Sequence, residues 1–283
     1  MRQFEAYVAI DWSGAKGRRH KGIAIAEARG KAAPRLIRAG HAWSRKEVLA
    51  WLLKRAAREP TLFGFDFSFA PPIIERGEYL PGEPHVPTTA REFWAYVDER
   101  CDDEDLGAAS FLEVAHRTHF YFGIADGIKS NFVRFRQCDA KLNAQGGRKT
   151  ASAYDAIGAA QVAKASFSGM RLLNKIHGKV AIWPMDPLPD HASAVVEIYT
   201  RIYLRRAGFS GAKLRSRTAL NLALEGLGSP PARLRFEPND HQTDALVTAA
   251  GMRALATGET RAFAPEGLTP TLARTEGWTF GVL

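Results

Sequence analysis

Cysteine, long apolar runs and internal repeats are scarce or missing in this sequence, and each shortage excludes a class of protein. Only two cysteines occur in 283 residues, and they form neither a CxxC pair nor a cysteine–histidine spacing typical of a zinc site. No apolar run is long enough to span a bilayer, and no basic segment followed by an apolar one resembles a secretion signal. We therefore predict a soluble, cytoplasmic protein with free thiols and no membrane partner.

Length and composition are ordinary for a globular protein. Hydrophobic residues make up 46% of the chain and charged residues 24%, and 283 residues suffice for a large core. From residue 71 to residue 189 the pattern changes from strands to turns and helices with a basic loop. We predict a single domain over 1–283 that carries a mainly helical, basic insertion over 71–189. The sequence does not indicate an oligomeric state.

Charge is distributed unevenly along the chain, whose formal net charge is +9. Residues 75–105 contain ten acids and three Lys/Arg, whereas residues 129–177 contain nine Lys/Arg and two acids. Residues 201–217 add six Lys/Arg and no acid. Basic segments of this kind suit a polyanion, because neutralising phosphates releases counterions, so we predict a nucleic-acid partner (DNA, RNA or a hybrid). The alternative is a basic protein without such a partner.

The order of predicted elements indicates a three-layer α/β fold with a mixed central sheet. Strands are predicted from short β-favouring runs, and helices from apolar residues at helical spacing with polar caps. The predicted strands cover 7–10, 20–27, 35–43, 61–70 and 193–204. The predicted helices cover 44–59, 89–101, 110–123, 154–178, 216–228 and 239–258, and a basic loop covers 134–150.

Four acids stand in apolar or small-residue surroundings in four separate segments: Asp11, Asp66, Glu197 and Asp244. If the strands are neighbours, these carboxylates converge, and their repulsion then requires cations. Oxygen ligands of this kind suit Mg²⁺ or Mn²⁺, and a pair of such ions supports phosphodiester cleavage. Asp240 lies one turn before Asp244 and is predicted as a further metal ligand.

Structural roles remain open for the first two acids. Asp11 follows a strand and precedes a turn, where it could pair with Lys16, Arg18 or Arg19 instead of a metal. Asp66 could cap the backbone of the loop that follows it. Either role would remove the residue from a catalytic site.

Alternatives also remain for the later acids. Glu197 could form a structural ion pair with Arg201 or Arg205. Asp240 could be a helix-start acid favoured by the helix dipole. Asp244 lies on an alanine-rich helical face, where a purely structural role is harder to find.

Basic and aromatic residues supply candidate contacts to nucleic acid. His241 and His177 could shuttle protons, although a lone histidine is more often structural. Four aromatics lie among basic residues and could stack on bases or pack in the core: Tyr121, Phe122, Phe132 and Phe135. The predicted phosphate contacts, each of which could equally be a solvated surface charge, are Lys16, Arg18, Arg19, Arg134, Arg136, Lys141, Arg148, Lys149 and Arg201.

Four short motifs in this order carry a resemblance to a known family: AIDWSGAKG, GFDFSFAPP, VEIYTR and DHQTDALVTAAGMRAL. Together they resemble the family of predicted ribonuclease H-like nucleases catalogued as domain of unknown function 429. The resemblance implies a ribonuclease H-like fold, which ribonuclease H, Holliday-junction resolvases and transposase cores share, all of them two-metal phosphodiesterases. One departure is Thr200, where the family pattern leads us to expect proline. Because that family is known mainly by its fold, the resemblance supports architecture more strongly than activity.

Three functions were weighed on these observations. The first is a nuclease that hydrolyses phosphodiester bonds with two Mg²⁺ or Mn²⁺ ions held by the acids. The second is an ATP-dependent phosphotransferase of the actin-like fold, in which the DWSGAKG hairpin would cradle phosphate. The third is a nucleic-acid-binding module without catalysis. The complete set of four acids favours the nuclease.

Overall fold

A six-stranded mixed sheet forms the centre of the protein in a computed structural model that describes residues 4–146, 149–157 and 161–283. The strands lie in the order β3-β2-β1-β4-β6-β5. The first three pair antiparallel, whereas β1, β4, β6 and β5 run parallel. Their bounds are Ala6–Asp11 (β1), Ala24–Arg29 (β2), Arg35–Leu36 (β3), Thr61–Phe65 (β4), Ala181–Ile182 (β5) and Ala194–Glu197 (β6).

Helices cover both faces of this sheet. One layer contains α1 (Arg45–Ala56), α2 (Ala90–Glu99) and α4 (Val162–Ile176). The other contains α5 (Thr200–Arg206), α6 (Arg217–Gly226) and α7 (Asp240–Gly258). Two shorter helices, α3 and α8, cover Gln137–Ala144 and Pro270–Arg274. The predicted three-layer α/β architecture with a mixed sheet is therefore present.

Alternation along the strands divides the core into two parts. Val8 and Ile10 of β1 point into the cluster with α1, α2 and α4, whereas Tyr7 and Ala9 belong to the cluster with α5, α6 and α7. Helix α7 packs on β1 and β2. Its Gly251 lies so close to α5 that an added Cβ would stand 2.4 Å from the ring of Tyr203. This close approach fixes α7 and the acids it carries relative to the sheet.

Several predicted elements have different bounds in the structure. The predicted strand over 193–204 ends at Glu197, and the chain then turns into α5, whose first residue is Thr200. The first turn of a helix tolerates proline, so the expected proline at this position would also fit. The predicted strand over 35–43 is regular only at Arg35–Leu36. In both cases an apolar run continues past the end of the strand, and the residue pattern alone does not distinguish such a run from a longer strand.

The segment between β4 and β5 contains the remaining differences. A short π-helical turn at Phe111–Ala115 replaces most of the predicted helix over 110–123. Within 154–178, helix α4 begins only at Val162. The predicted basic loop over 134–150 contains α3, and the predicted insertion also includes strand β5 at the sheet edge. Among the described residues, no helix is long and apolar enough to cross a membrane.

Candidate functional site

Three aspartates meet at the carboxyl ends of the central parallel strands. Ile10 of β1 pairs with Phe65 of β4, and the Asp66 amide donates to the Ile10 carbonyl oxygen at 3.1 Å. Asp11 and Asp66 therefore leave two adjacent strands side by side. Asp244 lies in the second turn of α7, the helix that packs on β1 and β2. The sequence prediction that these three acids come together agrees with this geometry.

Burial and mutual repulsion make these carboxylic acids difficult to ionise. Burial, followed by the charges of Asp11, Asp244 and Glu197, raises the pKa of Asp66 well above its ordinary value. Burial and the charge of Asp11 raise the pKa of Asp244 to about 7. Without a further cation, these carboxylates therefore keep their protons to higher pH than an ordinary aspartate does.

Two cationic side chains face the aspartates. His241 Nδ1 lies 2.8 Å from Asp11 Oδ2, and this hydrogen bond raises the pKa of His241. Lys213 Nζ lies 3.2 Å from Asp240 and 3.9 Å from Asp244. Asp11 does not pair with the basic residues of the following loop, which removes the structural alternative considered for it. Burial raises the pKa of Asp11, and the bond from His241 opposes that rise.

Glu197 differs from the three aspartates in its position and its partners. It pairs in register with Phe65, so its side chain leaves the sheet on the face opposite to Asp66. Its two oxygens accept from the Arg136 guanidinium at 2.6 Å each, and the Phe69 amide donates to it at 2.8 Å. Thr279 donates a further bond at 2.6 Å. The Glu197 carboxylate is thus saturated by protein donors on the other face of the sheet, although its charge still raises the pKa of Asp66.

Arg136, a predicted phosphate contact, is the buried partner of that glutamate. Its side chain is 2% exposed, and it also contacts Asp139 at 2.9 Å. Glu197 does not contact Arg201 or Arg205, which were the sequence candidates. A guanidinium enclosed in this way cannot reach a phosphate on the surface, so the prediction for Arg136 is corrected: it joins β6 to α3 and the chain before it.

The basic residues of the β1–β2 loop are tied to acids of other segments. Lys16 contacts Glu113 at 2.6 Å, Arg18 contacts Glu104 at 2.5 Å and Arg19 contacts Glu47 at 2.6 Å. All three basic side chains remain more than half exposed. They remain accessible to a phosphate that competes with these surface pairs, whose free energies are small.

Arg45 forms hydrogen bonds with the same loop from its buried side. This buried side chain donates to the carbonyl oxygens of Ser13 at 2.8 Å and Ala15 at 2.6 Å. Gly14 abuts α4 so closely that an added Cβ would lie 2.2 Å from the Ala165 nitrogen. The loop is therefore packed against helix α4 and has little room for a ligand at its centre.

The other predicted phosphate contacts are scattered. Arg134 is one-third exposed and lies 3.5 Å from Glu75, and Lys141 donates to the Glu266 carbonyl oxygen at 2.7 Å. Lys149 is exposed. Arg201, the second residue of α5, is half-buried with its Nη1 unpaired among the described residues. Arg148 lies outside the described residues.

The remaining sequence candidates lie apart from the aspartates. His177 follows α4 at its exposed end. Tyr121 is buried, whereas Phe122 is half-buried beneath Arg117, whose guanidinium carbon stands 4.2 Å from its ring centre. Phe132 stands 5.8 Å from Tyr121, ring centre to ring centre, and Phe135 is half-buried. Of these four aromatics, Phe122, Phe132 and Phe135 retain exposed ring surface.

Lys213 is the site residue that the sequence analysis missed. It lies in the connection between α5 and α6, in a basic segment that resembles a solvated surface. Lys213 lies 27 positions before Asp240 and 31 positions before Asp244, across a loop. Neither distance matches a helical or strand period, so this contact could not be predicted from the sequence. His241 was named, but its bond to Asp11 across 230 positions was not foreseen.

Carboxylate oxygens, the ligand type that Mg²⁺ and Mn²⁺ take, are the main polar groups of this site. Repulsion among three partly buried carboxylates would fall if a cation bound among them. Among the described residues, no three or more His, Cys, Asp or Glu side chains are already arranged to hold a metal ion. Lys213, which lies beside Asp240 and Asp244, stands among the same acids.

Comparison of the chain with protein-family models, curated proteins and solved structures found no match.

Proposed function

We propose that the protein is a metal-dependent nuclease of ribonuclease H-like fold, in which Asp11, Asp66 and Asp244 bind Mg²⁺ or Mn²⁺. The observation that carries the proposal is the convergence of these three partly buried aspartates, from β1, β4 and α7, at one end of the parallel strands. The bound ions would supply an activated water and charge stabilisation at the phosphodiester. Asp240 and His241 border the same site and complete its polar rim.

The protein side chains have separate tasks in this proposal. Asp11 and Asp66 present oxygens from a rigid sheet, and Asp244 presents one from a helix fixed against that sheet. His241 holds the Asp11 carboxylate through its Nδ1 atom, which orients the remaining oxygen. Lys213 compensates the charges of Asp240 and Asp244 in the metal-free protein, and its ammonium group would be displaced when a divalent cation binds there. Glu197 acts as a positioning residue that anchors the backbone after Asp66 through the Phe69 amide.

Nucleic acid as substrate is supported by charge. The net charge of +9 and the exposed Lys16, Arg18 and Lys149 favour a phosphate backbone. The phosphotransferase alternative is less well supported. In the β1–β2 loop, Arg45 forms hydrogen bonds with the carbonyl oxygens of Ser13 and Ala15, and Gly14 packs directly on α4. A phosphate cradle would need that loop to be open. A binding module without catalysis does not explain why three aspartates are buried together at the cost of their solvation.

A cleavage panel with matched variants tests this function. Labelled single strand, duplex, RNA–DNA hybrid and four-way junction are incubated with Mg²⁺, Mn²⁺ or chelator. We expect cleavage that needs metal, and a loss of at least 10³-fold in Asp66→Asn, because that change removes a ligand charge without altering size. Asp190→Asn alters an exposed aspartate and serves as the control.

Metal binding is measured separately by calorimetry. Wild-type protein that binds neither ion would contradict the proposal at its first step. Binding without cleavage of any substrate would contradict the nuclease and favour a binding module. Asp66→Asn protein that cleaves normally would remove Asp66 from the site.

A further inference from the structure

A second polar pocket lies within the segment that joins β4 to β5, and none of the aspartates described above lines it. Its volume is about 370 Å³. That size is within the range of small-molecule sites in proteins. The residues that line it are Arg76, Pro81, Thr118, His119, Asn131, Phe132 and Arg134. We call it the Arg76–Arg134 pocket.

Arg76 is the half-buried cation of this pocket. Its guanidinium lies over the ring of Tyr154, with 4.3 Å from the guanidinium carbon to the ring centre, and it donates to the Phe132 carbonyl oxygen. Among the described residues, no carboxylate lies within ion-pair distance of it. Burial, and then the charge of Arg134, lower the pKa of Arg76, while the more distant charge of Glu75 opposes that shift. A desolvated guanidinium without an acid is costly for the fold, and an anion would offset that cost.

Arg134 brings a second guanidinium to the same pocket. It donates to the Val133 carbonyl oxygen at 2.9 Å and to that of Ser130, which fixes its direction. Its one acidic neighbour among the described residues is Glu75, at 3.5 Å and about half exposed. Because surface pairs of this length contribute little, Arg134 remains available to a ligand.

Uncharged donors and a ring complete the lining. Thr118 and Asn131 offer a hydroxyl and an amide, and His119 is held by Glu83 at 3.2 Å. Phe132 is half-buried and presents a ring at the pocket wall. Two guanidinium groups beside neutral donors match a tetrahedral oxyanion, and an aromatic ring beside them matches a base.

We propose that the Arg76–Arg134 pocket binds the phosphoryl group of a nucleotide, with Arg76 and Arg134 on its oxygens and Phe132 against the base. The same chemistry would recognise a free nucleotide or the terminal phosphate of a nucleic acid strand. This inference goes beyond the proposed nuclease, because it uses no residue of the aspartate site and needs no metal.

Calorimetry at low salt, with a chelator that removes divalent ions, tests the pocket without any contribution from metal at the aspartates. The probes are inorganic phosphate, adenosine 5′-monophosphate, and one oligonucleotide with and without a 5′-phosphate. We expect the monophosphate to bind wild-type protein, and Arg134→Gln to bind it about tenfold more weakly because one charge-assisted contact is lost. Arg58→Gln alters an exposed arginine that follows α1 and should bind like wild type.

Two further variants sharpen the result. Arg76→Gln should abolish binding, and its melting curve shows whether the loss of the Phe132 and Tyr154 contacts has unfolded the segment; if it has, Arg134→Gln decides. Phe132→Leu should remove the advantage of the monophosphate over inorganic phosphate. Preference for the 5′-phosphorylated oligonucleotide assigns the pocket to strand ends, and equal binding of both oligonucleotides assigns it to free nucleotide.

Two outcomes would overturn the inference. One is wild-type protein that binds neither phosphate nor the monophosphate. The other is equal loss in Arg134→Gln and Arg58→Gln, which would show binding to general positive charge. Either can occur while metal-dependent cleavage is intact, so failure of the pocket and failure of the nuclease are distinguishable.

Discussion

At the scale of single residues, Asp244 connects stability to function. Its carboxyl has a pKa of about 7 because burial and the Asp11 charge oppose ionisation. Between about pH 4 and pH 7 the Asp244 carboxyl is protonated in the folded protein. In the unfolded chain, where its pKa is near 4, it has already lost that proton. The free energy of unfolding should therefore fall as pH rises from about 4 to 7, through this group alone.

Asp244→Asn should thus stabilise the metal-free protein. At pH 8 in chelator we expect a gain of up to about 4 kcal/mol, which shrinks toward zero near pH 4, where both states are protonated. Denaturant unfolding at the two pH values measures it, with Asp190→Asn as the control. A variant that is less stable than wild type at pH 8 would show that this aspartate is not under electrostatic stress.

Lys213 supplies the matching prediction on the cationic side. It is the ammonium group beside Asp240 and Asp244, at 3.2 and 3.9 Å. In Lys213→Met we expect Mg²⁺ to bind about tenfold more tightly, because the ion no longer competes with a local positive charge, while metal-free protein loses stability.

Calorimetric titration of Mg²⁺ measures this difference in affinity. Lys54→Met is the control, since Lys54 is exposed on α1. Unchanged affinity in Lys213→Met would show that the lysine and the metal do not share a site.

At the scale of elements, the ion pair between Glu197 and Arg136 joins β6 to the chain before α3. Both side chains are nearly fully buried, at 4% and 2% exposure, and the pair is bidentate. Removing one partner of a buried pair leaves the other charge uncompensated, which typically costs about 3–5 kcal/mol. The pair therefore fixes how the helical segment joins the sheet.

Glu197→Gln should consequently lower stability by about 3 kcal/mol or more and leave Mg²⁺ affinity within about twofold of wild type. Because Arg136 also pairs with Asp139 at 2.9 Å, the double variant Glu197→Gln with Arg136→Met leaves Asp139 without its partner and should be less stable than Glu197→Gln alone. Denaturant unfolding and metal titration together measure both effects. Normal stability with lost metal binding would instead return Glu197 to the ligand set.

At the scale of the whole molecule, the proposed metal site implies that metal and protons compete for the same carboxylates. Because metal ligands must lose their protons, Mg²⁺ binding should release protons and strengthen as pH rises through about 7, the pKa of Asp244. A ligand that binds only the folded state stabilises it, by about 2.7 kcal/mol at 100 times its dissociation constant. The melting temperature should therefore respond to Mg²⁺ at pH 8 and much less at pH 5.5.

Thermal melts across pH, with Mg²⁺ or chelator, measure this coupling. In Asp66→Asn the Mg²⁺-dependent shift should disappear, while the melting temperature in chelator stays at or above that of wild type. Equal Mg²⁺ shifts at the two pH values would contradict the assignment of these aspartates as ligands.

The sequence by itself determined what local pattern encodes. The apolar runs of β1 and β4, the Ser44 cap of α1 and the Asn239 cap of α7 depend on neighbours in the chain, so layers and most helices were predictable. The sequence also identified Asp11, Asp66 and Asp244, because a lone acid in an apolar run is conspicuous wherever the fold places it.

Only the tertiary structure decided the partners of those acids. Glu197 is equally conspicuous in sequence, yet strand parity turns it to the other face, where Arg136 from 61 positions away encloses it. Lys213 and His241 reach the site across chain separations that no periodicity encodes. Electrostatic interactions act through space and local propensity acts along the chain. Three-dimensional packing alone therefore decides which charges of this protein lie in the aspartate cluster, in the buried ion pair or at the Arg76–Arg134 pocket.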